Sequence, residues 1–147
     1  MAFSIQMIPE SVPGSTLGNA AQYGEIELGE YRETFVALIG FWSPHDYQTH
    51  WKASLDRVLL RQWSCLITSL HDPAATEVLH WWLLYPQGSV VAIQNRLLLL
   101  NDLPRPFDPA HPYSFVPERQ VKNSDGYEIS EWEVGLSDIR QFRDTLV

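Results

Sequence analysis

The stretch that decides the fold spans residues 35–60 and reads Phe35-Val-Ala-Leu-Ile-Gly-Phe-Trp-Ser-Pro-His-Asp-Tyr-Gln-Thr-His-Trp-Lys-Ala-Ser-Leu-Asp-Arg-Val-Leu-Leu60. Its beginning belongs to a run of β-branched and aromatic residues over 31–39, which predicts a strand. Gly40 ends this run. Ser43-Pro44 then predicts a helix start, because the serine oxygen can accept a hydrogen bond from a free first-turn amide and proline is tolerated at the first helical position. The stretch therefore supplies a strand and a helix that can cover the sheet.

Two helices are predicted. Apolar residues recur at steps of three and four after Pro44, which predicts a helix over about 44–61. Ser137-Asp138 predicts the start of a second, short helix over about 137–146. The apolar faces of the two helices consist of Tyr47, Trp51, Leu55, Val58 and Leu59 in the first, and Ile139, Phe142 and Leu146 in the second.

The rest of the chain predicts strands joined by turns, over 1–8, 25–30, 31–39, 63–70, 76–85, 90–100, 113–121 and 127–134. Pro86-Gln87-Gly88-Ser89 joins two of these runs into a hairpin, although a short helix over 73–84 remains an alternative. Sequential strands with short turns indicate an antiparallel arrangement. The predicted fold class is α+β, a largely antiparallel β-sheet with both helices packed on it. We expect one domain over 1–147, with residues 1–22 as a loosely structured N-terminal segment.

Charge and composition narrow the range of partners. The 147 residues carry a net charge of −8 at pH 7, which argues against a nucleic-acid partner, since phosphate binding requires a surface rich in Lys and Arg. The sequence contains no stretch of 18 consecutive apolar residues, so no membrane span is predicted. It also shows no leader pattern, which predicts a cytoplasmic location. An acidic surface favours a basic partner, but solubility alone also explains it.

No pattern predicts a catalytic, metal or cofactor site. Cys65 is the only cysteine, so the chain can form neither an internal disulfide nor a zinc site built on cysteines. His45 and His50 lie five residues apart, which on a helix places them about 140° from one another and prevents them from sharing an ion. There is no Gly-x-Ser-x-Gly motif and no glycine-rich phosphate loop before a helix. We therefore expect a protein that is not an enzyme and has no cofactor.

The adjacent residues Trp81 and Trp82 must point to opposite sides of a strand. Large core residues are one interpretation of this pair. The other is that one of the two rings lies on a less protected face and anchors a protein partner, since interface hot spots favour tryptophan.

Two segments carry a family resemblance. They are Phe41-Trp42-Ser43-Pro44-x-Asp46-Tyr47-x-x-x-Trp51-x-x-Ser54-Leu55, and Asp125-Gly126-x-Glu128-Ile129-Ser130-Glu131-Trp132 followed by Ser137-x-Ile139-x-x-Phe142. Both resemble small bacterial immunity proteins of contact-dependent growth inhibition systems. The resemblance implies a non-enzymatic protein that binds the toxin domain delivered by a neighbouring cell and blocks its active site or substrate surface. Such toxins are often nucleases, whose basic substrate surface suits an acidic inhibitor.

The resemblance transfers no binding residue, so we predict the interface from charge and stiffness. Four prolines between Asn101 and Pro112 predict a stiff surface loop, which loses little entropy when it binds. Acidic strand margins are the other candidates. The predicted partner-binding residues are Asp102, Asp108, Glu25, Glu27, Glu30, Glu128, Glu131 and Glu133.

Two other classes of function stay open at the level of sequence. One is a small α+β enzyme or ligand-binding domain that uses a pocket between helix and sheet, with His45, Asp46 or His50 at its mouth. The other is a structural or assembly subunit with an acidic face. The sequence does not indicate an oligomeric state.

Overall fold

A computed structural model describes residues 2–13 and 20–146. It confirms the predicted α+β class, with seven strands and two α-helices in the part of the chain that it describes. The elements are β1 (Phe3–Ser11), β2 (Ala21–Leu28), β3 (Tyr31–Leu38), α1 (Pro44–Leu59), β4 (Ser64–Ser69), β5 (Val78–Gln87), β6 (Val90–Leu99), β7 (Glu131–Gly135) and α2 (Leu136–Arg143). Short 3-10 turns occupy Leu100–Asp102 and Pro112–Phe115.

The strands form two antiparallel sheets instead of the single sheet that was expected. The first has the order β1-β2-β3 and the second the order β4-β5-β6-β7. Helix α1 lies between β3 and β4 in the chain and covers the edge of β4 with its own side chains. The two sheets therefore pack together without joining through β3 and β4.

Helix α1 starts where the sequence predicted and ends two residues earlier. The Asp46 amide donates to Ser43 Oγ at 3.1 Å, and the Ser43 amide donates to Asp46 Oδ2 at 2.8 Å, which is a reciprocal capping box. These hydrogen bonds hold the pKa of Asp46 below its ordinary value. At the other end, Arg61 has a φ of 63°, a left-handed conformation that stops the helix after Leu59.

Helix α2 begins one residue before the predicted start and ends at Arg143 instead of residue 146. The N-cap is Gly135, whose amide donates to Asp138 Oδ2 at 3.1 Å. Ser137 therefore lies in the first turn and is not the cap, because Asp138 closes the helix start on the residue that ends β7.

The central hairpin is confirmed. Strands β5 and β6 pair from Val78↔Leu99 to Gln87↔Val90, and Gly88 takes a φ of +65° in the turn between them. The alternative of a helix over 73–84 is wrong, since β5 begins at Val78.

The N-terminal part is more ordered than the sequence predicted. Strand β1 pairs with β2 from Phe3↔Leu28 onward, so it is part of a sheet and not a loose segment. Residues 14–19 lie outside the described residues.

The predicted strand over 113–121 is wrong. That stretch contains a 3-10 turn followed by irregular backbone, and four prolines before it prevent regular pairing. The turn over 123–126 is present, since the Gly126 amide donates to the Asn123 carbonyl oxygen at 3.1 Å. Only an isolated bridge, Lys122↔Glu128, flanks this turn, and regular pairing with β6 starts at Glu131.

Aromatic rings fill the space between the two sheets. Tyr31 of β3 stacks on Trp132 of β7 with ring centroids 4.6 Å apart, and Trp132 lies 5.5 Å from Trp82. Trp81, on the opposite face of β5, is also buried. The interpretation of an exposed tryptophan anchor at this pair is therefore wrong, because both rings are buried.

Helix α1 satisfies the open edge of β4 with three side chains. The Ile67 amide donates to His50 Nε2 at 2.8 Å, and Trp51 Nε1 donates to the Ile67 carbonyl oxygen, also at 2.8 Å. Tyr47 Oη accepts from the Leu70 amide at 2.8 Å. An uncovered edge strand would expose these backbone groups to pairing with another chain, so the helix closes this edge.

Candidate partner-binding surface

The long segment between β6 and β7, residues 100–130, lies across one face of the four-stranded sheet and is called the cover below. Three contacts hold it there. The rings of Phe107 and Trp81 pack with their centroids 6.4 Å apart. Tyr85 Oη donates a hydrogen bond to the Pro117 carbonyl oxygen at 2.9 Å, and Gln94 Nε2 donates one to the Gln120 carbonyl oxygen at 2.8 Å. The proline-rich stretch is therefore a cover of the core as well as a surface loop.

Two of the predicted binding residues lie on this cover, and both are exposed. Asp102 ends the first 3-10 turn. Asp108 accepts hydrogen bonds from the Ala110 amide at 2.9 Å and from His111 Nδ1 at 3.0 Å. The contact with His111 is the main reason why the pKa of Asp108 lies below its ordinary value. Asp108 thus stabilises its own turn, while Asp102 presents its charge directly to solvent.

Three further predicted residues lie on or beside the outer face of the three-stranded sheet. Glu25 and Glu27 alternate with buried residues of β2, so both point away from the core. Glu27 Oε2 accepts from Arg32 Nη2 of β3 at 2.8 Å. Glu30 is exposed in the two-residue turn between β2 and β3. This face is acidic, with Arg32 as the cation that pairs with Glu27.

The remaining three residues belong to β7 and the segment before it. Glu131 is partly buried and binds Arg119, whose Nε lies 2.8 Å from its Oε2, and Gln94 Nε2 donates to the same oxygen at 2.7 Å. The hydrogen bonds from Arg119 hold the pKa of Glu131 below its ordinary value. Glu128 and Glu133 are exposed. Glu131 therefore stabilises the cover, and Glu133 is the member of this group within β7 that is open to a partner.

A contact between aromatic rings links the β2–β3 turn, which carries Glu30, to β7. Tyr31 directly follows the turn residue Glu30, and its ring stacks on Trp132 of β7. Trp132 lies between Glu131 and Glu133 in the chain. The stack therefore joins the β2–β3 turn to β7, while Asp102 and Asp108 lie on the cover.

The histidines do not converge. The burial of His50 lowers its pKa to about 3, so the ring is neutral at pH 7 and serves the β4 edge. The alternative that places His50 at the mouth of a pocket is wrong for His50, because its ring is buried against β4. Within residues 2–13 and 20–146, no group of three or more His, Cys, Asp or Glu side chains could hold a metal ion.

A cavity of about 600 Å³ does lie between α1, α2 and β1, with His45 on its lining. Its apolar lining includes Ile5, Trp51 and Phe142. This is where the alternative of a ligand-binding domain would place its pocket. Of the three residues suggested for the mouth, His45 is there, Asp46 is a helix cap and His50 is buried elsewhere.

The family model for the CdiI N-terminal domain matches residues 37–142. The chain belongs to this family. The resemblance to immunity proteins of contact-dependent growth inhibition is thereby confirmed, and both segments that carried it lie within the matched region.

A curated protein and a solved structure are similar to this CdiI family member. This chain is 29% identical over 135 residues to "Immunity protein CdiI" of Enterobacter cloacae, and the aligned region covers 91% of this chain and 92% of that protein. It also matches a chain of the solved "CdiA-CT/CdiI toxin and immunity complex from Enterobacter cloacae" with a TM-score of 0.86 and 28% identity, covering 97% of each chain. No helix among the described residues is long and apolar enough to cross a membrane.

Sequence reasoning missed the residues that attach the cover to α1 and β7 in this CdiI family member. Arg57 of α1 lies over the ring of Tyr113 at 4.2 Å, and Ser54 Oγ lies 3.0 Å from Tyr113 Oη. Ser54 and Arg57 are three residues apart on one side of the helix, which was a visible signal. Arg119, the partner of Glu131, had no signal, because the two lie twelve positions apart with irregular chain between them.

Proposed function

We propose that this chain is a non-enzymatic immunity protein, which binds the toxin domain of its own contact-dependent growth inhibition system and neutralises it. The observation that carries the proposal is the match over 97% of the chain to a solved toxin and immunity complex, together with membership of the CdiI family.

The finer proposal is that the toxin domain is basic and of the nuclease type. A net charge of −8 and an acidic outer face on the three-stranded sheet complement a surface that binds phosphate. Complementary charge raises the association rate at low salt, and screening over about 10 Å at 0.1 M ionic strength reduces that gain. A strong salt dependence of the association rate is therefore expected.

The test uses the C-terminal domain encoded by the neighbouring exoprotein gene as the toxin. Co-expression of this chain should restore growth of cells that produce the toxin domain, and the two proteins should co-purify as a stable complex. The purified toxin domain should degrade RNA or DNA, and one equivalent of this chain should stop it. If the toxin domain does not bind this chain and stays toxic in its presence, the immunity proposal is wrong.

Charge reversal at exposed positions can identify which acidic group meets the toxin. Asp102→Lys, Glu30→Lys and Glu133→Lys each change one group without removing a hydrogen bond described above. We expect the variant in the true interface to associate more slowly and with a flatter salt dependence. Asp144→Lys, an exposed position at the end of α2, is the matched control and should behave as the unmodified chain.

Asp108 requires a gentler change, because its carboxylate holds a turn. Asp108→Asn removes the charge and keeps an oxygen that can accept from the Ala110 amide. If neither Asp102→Lys nor Asp108→Asn alters the association rate, the proline-rich cover is not the electrostatic contact.

A further inference from the structure

The outer edge of β3 carries backbone groups that point away from its own sheet. Strands β2 and β3 are joined by a two-residue turn, and the Ile39 amide donates to the Ala20 carbonyl oxygen at 2.8 Å. In an antiparallel pair, residues with backbone groups directed at the partner alternate with residues whose groups point outward. Because Ile39 bonds to the β2 side, every second residue before it does so as well, and the N–H and C=O groups of Thr34 and Val36 point away from β2.

The edge of β4 is occupied by side chains of α1, whereas the edge of β3 is not. Helix α1 satisfies β4, and the Leu38 carbonyl oxygen at the end of β3 accepts from Tyr47 Oη at 2.7 Å. Among the residues that the structure describes, none bonds to the outward groups of Thr34 or Val36. A regular edge of this kind, without proline or bulge, is a template for pairing with another chain.

A cleft of about 270 Å³ runs beside this edge. Phe35 and Val36 form one side, and Trp82 with His80 and Asn95 of the four-stranded sheet forms the other. Val36 of the cleft is 44% exposed, and Leu97 and Leu99, which follow Asn95 on the same face of β6, are 56% and 53% exposed. Large exposed apolar side chains grouped in this way mark a site for interaction.

The charge around the edge is negative. Glu33 lines the cleft, where its carboxylate accepts from Tyr31 Oη at 2.9 Å and Asn95 Nδ2 at 3.3 Å. Glu25 lies opposite Thr34 on the neighbouring strand, and Arg32 is held by Glu27. A segment that joins this edge therefore meets carboxylates and benefits from carrying Lys or Arg.

We propose that the edge of β3 between Arg32 and Leu38 accepts an extended, basic segment of the cognate toxin domain as a fourth strand. This rests on the proposed function and names the surface that performs it. The segment pairs with the backbone of Thr34 and Val36, and its residue opposite Phe35 enters the cleft. Side chains on its outer face lie about 10 Å from Glu25, since neighbouring strands are about 4.8 Å apart. The surface thus includes the acidic group on β2 and not the one on the proline-rich cover.

Amide hydrogen exchange measured by NMR tests the proposal residue by residue. In the free protein, the amides of Thr34 and Val36 should exchange fast, and those of Glu33 and Phe35, which bond to β2, should exchange slowly. On addition of the toxin domain, Thr34 and Val36 should become at least tenfold more protected, with little change at Phe35. This alternation distinguishes strand addition from general burial.

A matched pair of variants tests affinity. Val36→Pro removes an outward N–H. Proline is tolerated at such a position of an edge strand, because no hydrogen bond to β2 is lost. Val36→Thr changes the side chain and retains the N–H. We expect Val36→Pro to bind the toxin domain at least tenfold more weakly and Val36→Thr to bind within about threefold of the unmodified chain. If Val36→Pro does not fold, His80→Trp is measured instead. Its larger ring fills the cleft from an exposed position and should weaken binding of the toxin domain.

Each outcome either supports or overturns the proposal. Protection of Thr34 and Val36 together with weak binding of Val36→Pro supports it. If the toxin domain binds and is neutralised while these amides and this variant are unaffected, the proposal is wrong and the immunity function stands. Protection that appears without toxin and rises with protein concentration assigns the edge to a second copy of this chain, which also overturns it. If the toxin domain does not bind at all, the immunity function itself is wrong.

Discussion

Acidification should destabilise this protein through His50, and His50→Gln should remove that effect. The ring is buried and accepts a hydrogen bond from the Ile67 amide, so the folded protein requires its neutral form. Burial lowers its pKa to about 3, against an ordinary value near 6.5 in an unfolded chain. Between these two values the unfolded chain binds a proton that the folded protein does not.

The sign and the size of the effect follow from this difference. Where the unfolded state binds more protons, the free energy of unfolding rises with pH, so stability is complete above about pH 6.5 and declines as the pH falls toward 3. One pH unit corresponds to about 1.4 kcal/mol per proton. Between pH 6.5 and 5 the loss is therefore about 2 kcal/mol, a large part of a typical domain's 5–15 kcal/mol.

Urea unfolding at pH 7, 6, 5.5 and 5, followed by tryptophan fluorescence, measures this loss. His50→Gln offers a neutral acceptor to the Ile67 amide and should be less stable at pH 7 but nearly independent of pH over this range. His45→Gln, on the exposed side of α1, is the control and should keep the full pH slope. If His50→Gln shows the same slope as the unmodified chain, His50 does not remain neutral in the folded protein and the reasoning is refuted.

Three further outcomes are expected. Trp51→Phe leaves the buried carbonyl oxygen of Ile67 without its donor and should lower the free energy of unfolding by about 1–3 kcal/mol in urea titrations. Gly24→Ala places a Cβ 2.3 Å from two ring carbons of Phe35, so it should cost about 1–3 kcal/mol, part of which Phe35→Leu should restore in the double variant. Cys65 is buried and its thiol pKa is raised by that burial, so a thiol reagent should label it in denaturant but not in the native protein, as mass spectrometry can show.

The sequence predicted those elements whose signals are local. The capping box of Ser43 and Asp46 fixes the start of α1, and the glycine-containing turn fixes the register of β5 and β6. Both depend on residues that are close in the chain. The family resemblance was local as well, because it rested on two short segments.

The features that sequence reasoning missed depend on contacts between distant residues. His50 reads as a polar residue on a helix, and only the approach of β4, seventeen residues later, makes it a buried acceptor. The segment that contains Phe107 reads as a loop, and only its contact with Trp81 of β5 reveals that it covers the core. The division into two sheets has the same origin, since no local pattern reveals that a helix will occupy the edge of β4.

The same helix that closes β4 is what leaves β3 open. If β3 and β4 paired with each other, the backbone of Thr34 and Val36 would be internal and one seven-stranded sheet would result. Because Tyr47, His50 and Trp51 occupy that place instead, β3 ends its sheet with unpaired groups beside a cleft. Chain architecture therefore creates the edge that a partner strand can join, while the carboxylates around it select a basic strand. Related chains that keep the helix but change these acidic positions should accept different toxins at the same edge.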